Sequence, residues 1–68
     1  MIAAGTYKHK KTGKLYQVGG GIKVINTTND HDGQEMVMYV DPKKPFQIFV
    51  REIKEFNEKF TLIRKIGN

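Results

Sequence analysis

Few side chains in this sequence can do chemistry, and the imidazoles come first. Histidine is the one side chain whose ordinary pKa lies near neutrality, and His9 and His31 are the two present. The sequence has neither serine nor cysteine. A Ser-His-Asp or Cys-His nucleophile is therefore excluded, and threonine is the only hydroxyl of that kind left. His31 stands between Asp30 and Asp32, a setting that attracts a cation weakly. A calcium loop needs more oxygen ligands at alternating positions and a bidentate Glu farther along than Glu35. Residues 29–33 accordingly read as a solvated turn rather than a metal site. His9 shares a strand face with Tyr7, and one histidine in so small a scaffold lacks a shielded pocket. The expectation is a non-enzymatic protein with no catalytic residue, no metal and no cofactor.

Groups that bind anions are better represented. Gly19, Gly20 and Gly21 are consecutive, with Lys23 close behind. A dinucleotide fingerprint would need a helix after the glycines and a βαβ unit, and a Walker loop would need Gly-Lys-Thr opening a helix. The glycines lead instead into the β-branched stretch from Ile22 to Thr28. Two readings of the glycines remain, a corner in a bent strand and a nest of backbone N–H groups that holds an anion. Arg51 follows Phe49 on one strand face, where a guanidinium can grip a phosphate while the ring stacks on a base. The competing reading makes Phe49 a core residue and pairs Arg51 with Glu35 or Glu55. Lys8, Lys10, Lys11 and Lys14 crowd one predicted hairpin, and Lys43 and Lys44 sit in a proline-flanked loop.

The elements that must position these groups read mostly as strands. Alternation predicts strands over residues 6–10, 15–18, 22–28, 34–40, 46–51 and 60–66. Gly13 supplies the turn of the first hairpin, and the glycine triplet breaks the second strand as a bulge or corner would. Residues 34–40 are apolar on both faces, which suggests a central strand. Pro42 and Pro45 mark a loop. Glu52 to Asn57 has room for one helical turn, with Ile53 and Phe56 on one side. The fold class expected is mainly all-β, a small, strongly bent five- to six-stranded barrel of the Src-homology-3-like kind with one short helical turn.

Size and charge bound the rest. Sixty-eight residues make one domain, 1–68. A domain this small commonly needs disulfides, a metal or a second subunit. With no cysteine, a homo-oligomer is the remaining staple. Twelve Lys and Arg against seven Asp and Glu give a net charge of +5, which draws anionic partners. No secretory leader or membrane span is legible, so the expected location is cytoplasmic, with no membrane partner.

The order Gly5-x-Tyr7-x-His9, Gly13, Tyr16-x-Val18, a central strand ending in Tyr39, Phe49-Val50-Arg51 and Glu55-Phe56 resembles the domain of unknown function 1653 family. The likeness spans roughly residues 5–63. It implies a small bacterial or phage-borne barrel similar to the Src-homology-3 type, and it carries no established reaction. Three departures stand out. Relatives carry a His-Ser-Glu-Thr stretch where this chain has Ile25-Asn26-Thr27-Thr28-Asn29. Phe49 replaces their tryptophan, and Glu52 replaces their proline.

These residues support three functional expectations. The first is a binding module for a small anionic, nucleotide-like phosphorylated ligand, as in phage proteins that sequester nucleotide immune signals. Its ligand-binding residues would be Arg51, Phe49, Lys23, Gly19, Gly20, Gly21, His9 and Tyr7, in pockets between subunits. The second is nucleic-acid binding through Lys8, Lys10, Lys11 and Lys14. The third is a protein-interaction adaptor that uses an edge strand or the Tyr7–His9 face.

Overall fold

The computed structural model describes residues 2–20 and 22–66. Its strands are β1 (Gly5–His9), β2 (Leu15–Val18), β3 (Val24–Ile25), β4 (Glu35–Val40), β5 (Ile48–Glu52) and β6 (Phe60–Lys65), with helix α1 (Ile53–Lys59) between the last two. They form one six-stranded sheet in the order β3-β4-β2-β1-β6, with β5 on the other side of β4. Every pairing is antiparallel. The expected all-β class with a short helix is what the chain adopts. The sheet is not closed, however. β5 and β6 are joined through α1 rather than paired with each other, so the barrel stays open on that side.

Aromatic residues dominate the core. Tyr7, Val18, Val37, Tyr39, Phe56 and Phe60 are buried, and Phe56 is fully enclosed. Phe56 and Phe60 stack with centroids 4.2 Å apart, while Tyr7 and Tyr39 meet Phe56 at 5.1 and 5.3 Å. Rings bury large areas for few rotatable bonds, which suits a chain with little interior to fill. The Tyr7 hydroxyl donates to the Ala3 carbonyl at 2.6 Å, so its burial strands no polar group. That burial also pushes its pKa above the ordinary value.

The turns follow the glycines. Gly13 closes the β1–β2 hairpin at φ +75°, and Gly33 ends the β3–β4 turn at φ +87°, both in the region that side chains disfavour. The break after β2 is the expected bulge on a larger scale. Five residues lie between Val18 and Val24, but only Val37 and Met38 lie between their partners Tyr39 and Met36. The surplus chain leaves the ladder, and β3 shrinks to two residues instead of running from 22 to 28. Asn26 then ends it, its side chain accepting from the Thr28 N–H at 2.9 Å.

Three further elements differ from expectation. The strand predicted from residue 46 begins at Ile48, because a turn held by Lys44 N–H to the Asp41 carbonyl and Gln47 N–H to the Lys44 carbonyl occupies that stretch. Phe46 is consequently 89% exposed. The single helical turn extends to Lys59, started by the Glu52 side chain, which accepts from the Glu55 N–H. In β6 the expected alternation breaks. Thr6 pairs with Arg64 and Tyr7 with Leu62, so a bulge sets Leu62 and Arg64 on opposite faces.

Candidate functional site

Two regions could receive a ligand, and both arise where the ladder or its turns leave the sheet. The first is a cleft at the break between β2 and β3. Among the described residues, no ladder pair joins Val37 or Met38 to that side of β4, so residues from both sheet faces can line one opening. Ile2, Val18, Ile22, Met36, Val37, Met38 and Ile53 give it an apolar wall, with Gly19, Lys23 and Glu35 also contributing. Its volume is about 350 Å³, at the small end for ligand sites.

The second region is one end of the sheet, built by three elements. The β1–β2 hairpin tip carries Lys10, Lys11 and Lys14. The β4–β5 turn carries Lys43 and Lys44, and α1 ends there at Lys59. Asp41 fastens the first two together: its carboxylate takes Lys14 Nζ at 3.0 Å and the Lys43 N–H at 2.9 Å. The Lys10 N–H donates to the Lys59 carbonyl at 2.9 Å, which brings in the helix end. The Lys43 backbone hydrogen bond and then Lys14 hold the Asp41 carboxyl below its ordinary pKa, and Asp41 raises that of Lys14. Phe46 projects from the same turn. A hollow of about 330 Å³ lies between Gly13, Lys14, Leu15, Asp41, Pro42 and Lys43.

The acids of this end are Asp41 and Glu58, while Asp30, Asp32, Glu35 and Glu52 gather at the other end of β4. Six strand residues separate the two ends, a distance of about 20 Å. Lys23, Lys54, Arg64 and Lys65 offset the acids of that far end, so the net positive charge lies at the lysine end.

The expected ligand-binding residues do not converge. Gly19 and Lys23 reach the cleft. Gly20 packs against Ala4, where an added Cβ would come within 3.2 Å of the alanine methyl. Gly21 lies outside the described residues. Neither Gly19 nor Gly20 has a positive φ, so these two supply no left-handed residue to an anion nest.

Arg51 is committed elsewhere. Its Nε donates to Tyr39 Oη at 3.2 Å, and its Nη1 meets Glu55 Oε1 at 2.5 Å. Its guanidinium also lies over the Phe60 ring at 5.7 Å. The Tyr39 hydrogen bond, reinforced by Glu55, raises its pKa further. Arg51 thus clamps β5 to α1, as the Glu55 alternative anticipated. Phe49 is neither fully core nor free. It is 37% exposed and packs on Tyr16 and Tyr39 at 6.2 and 5.6 Å.

Tyr7 belongs to the core. His9 meets Phe60 edge-on at 4.9 Å, and its Nδ1 accepts from the Thr12 N–H at 3.3 Å. Of the lysines expected to contact nucleic acid, Lys8, Lys10 and Lys11 are exposed, and Lys14 is paired with Asp41. Lys8 stands on the outer face of β1, opposite Leu15. Sequence reasoning missed Lys59 and Phe46. Lys59 had no signal short of the tertiary contact with Lys10. Phe46 did have one, because a proline on either side of a lysine pair favours a turn over a strand start.

No protein-family model matches this chain, and comparisons with curated proteins and with solved structures return no significant match. Among the described residues, no helix is long and apolar enough to cross a membrane.

Proposed function

We propose that this chain is a non-enzymatic module that binds single-stranded nucleic acid across its lysine end. The observation that carries this is that the elements bearing Lys10 and Lys11, Lys43 and Lys44, and Lys59 meet at one end of the sheet, where the β4–β5 turn also carries the exposed Phe46. Proteins that hold single strands without strong sequence preference combine a basic track for the backbone with aromatic faces on which bases stack. Phe46 is 89% exposed, so a face of its ring is open to a stacking base. This reading takes the bent sheet as Src-homology-3-like, the chain as a member of the domain of unknown function 1653 family, and its location as cytoplasmic.

The test is Phe46→Ala, assayed by fluorescence anisotropy on a labelled oligothymidylate. One lost stacking contact costs about 1–3 kcal/mol, or roughly 5- to 150-fold in Kd. An unchanged Kd would remove Phe46 from the site and leave only a diffuse charge effect.

A second reading rests on the cleft. Its volume and the placement of Lys23 suit a small ligand with an apolar body and one anionic group, within the nucleotide-like class expected from the sequence. Lys23→Gln would weaken such a ligand and leave oligothymidylate binding unaltered.

A further inference from the structure

The sheet ends on three strands, and they are protected unequally. β3 is only two residues long. β6 carries a bulge and the charges of Arg64 and Lys65. Short strands, bulges and charges are the usual devices that keep one sheet edge from pairing with another. The outer edge of β5 has none of them along Ile48, Phe49 and Val50. Ile48 and Val50 are 57% and 55% exposed, and they continue an apolar strip on the outer face with their cross-strand neighbours Val40 and Met38. The one nearby cation, Arg51, is turned inward and held by Glu55.

The surface area makes the same point. A self-sufficient monomer of 7.8 kDa exposes about 4,400 Å² by the usual scaling. This chain exposes 5184 Å². The excess of roughly 800 Å², to which exposed Ile48 and Val50 contribute along with Ile22, Phe46, Ile63 and Ile66, is comparable in size to one partner's share of a standard protein interface.

We propose that β5 pairs antiparallel with β5 of a second copy, about a two-fold axis at Phe49. In that register Phe49 faces its own symmetry mate, and each Ile48 faces Val50 of the other copy. Each Gln47 faces Arg51 of the other copy, so no like charges oppose one another. Shifting the axis to Val50 would set Ile48 against Glu52, and shifting it to Arg51 would oppose two guanidinium groups. Antiparallel pairing also brings the Lys43–Lys44 turn of one copy toward Glu52 of the other. This inference does not rest on the nucleic-acid reading: it is argued from the exposed edge and outer face of β5 alone.

Sedimentation equilibrium at about 100 µM, where micromolar association is nearly complete, tests it. Wild type is expected to be a dimer, and Val50→Lys a monomer with unchanged far-UV circular dichroism, because Val50 is exposed within its own copy. The register is read separately in a chain that has no native cysteine. An equimolar oxidised mixture of Ile48→Cys and Val50→Cys should give mainly the mixed disulfide. Directly opposed Cβ atoms lie about 5 Å apart, against roughly 7–8 Å for diagonal neighbours. A monomeric wild type, an open-ended series of oligomers, a dimer that survives Val50→Lys, or a preference for the homotypic disulfides would each overturn the proposal.

Discussion

If the lysine end grips a nucleic-acid backbone, its affinity must fall with salt by an amount set by how many lysines engage. Lys10, Lys11, Lys43, Lys44 and Lys59 lie outside the ion pairs found among the described residues, whereas Lys14 is neutralised by Asp41. Each phosphate neutralised on a single strand contributes about −0.7 to the slope of log K against log salt, so five give a slope of about −3.5. Between about 50 and 200 mM salt this is a loss of roughly 130-fold. Replacing Lys43 and Lys44 with glutamine removes two contacts. The slope should relax to about −2.1 and the loss over the same interval to roughly 18-fold. Anisotropy titrations of labelled oligothymidylate at four or more salt concentrations read both slopes. A wild-type slope shallower than about −1, or one indifferent to the double substitution, would refute the reasoning, because ligand capture by a single cation in the cleft predicts that behaviour.

Two stability predictions accompany it. Gly5→Ala should lower the thermal midpoint sharply, since its Cβ would collide with the Arg64 carbonyl and press on Leu62 Cδ1 at 3.1 Å; overpacking of this kind costs about 1–3 kcal/mol. Gly19→Ala, with nothing within 4 Å and no positive φ, should leave the midpoint unchanged or slightly raised, as differential scanning fluorimetry would show. On pH, the Asp41 carboxyl is held below its ordinary 3.8, so its stabilisation is present above that value and lost as pH falls through the folded-state pKa. Lys14 is shifted above 10.5, so its share is full below that value and lost only as pH rises through the folded-state pKa. The difference in thermal midpoint between wild type and Asp41→Asn should therefore be constant near neutrality and shrink under strong acid. A difference that stays constant down to about pH 2 would show that the Asp41 contacts do not form.

Much of the fold was legible because small chains use local signals heavily. Gly13 supplied the hairpin turn, the strand before Gly19 and Gly20 was interrupted there, and Ile53 and Phe56 lay on one side of the helix, all as expected. The site was less legible, for reasons of geometry. Alternation places Phe49 and Arg51 on one face but does not say that α1 will deliver Glu55 to the guanidinium. The same alternation continues smoothly back to Phe46, and only the hydrogen bonds of the turn after Asp41 take that ring out of the strand. The β6 bulge has no glycine or proline to announce it, so strict alternation over residues 60–66 does not hold there.

The lysine end shows most clearly why charge counting needs a fold. In the sequence, residues 8–14 and 43–44 are two separate basic patches, and nothing in composition joins them. Asp41 joins them, because one carboxylate oxygen takes the Lys14 ammonium and the other the Lys43 N–H. The arrangement costs the end one positive charge and in return fixes two turns whose lysines would otherwise sample many relative positions. Preorganised cations lose less freedom on binding than cations brought together by the ligand. A buried acid among lysines is therefore consistent with a polyanion site, provided that it holds the backbone that spaces the others. Asp41 is 4% exposed and meets that condition, whereas the acids at the far end of β4 lie where no such lysine cluster gathers.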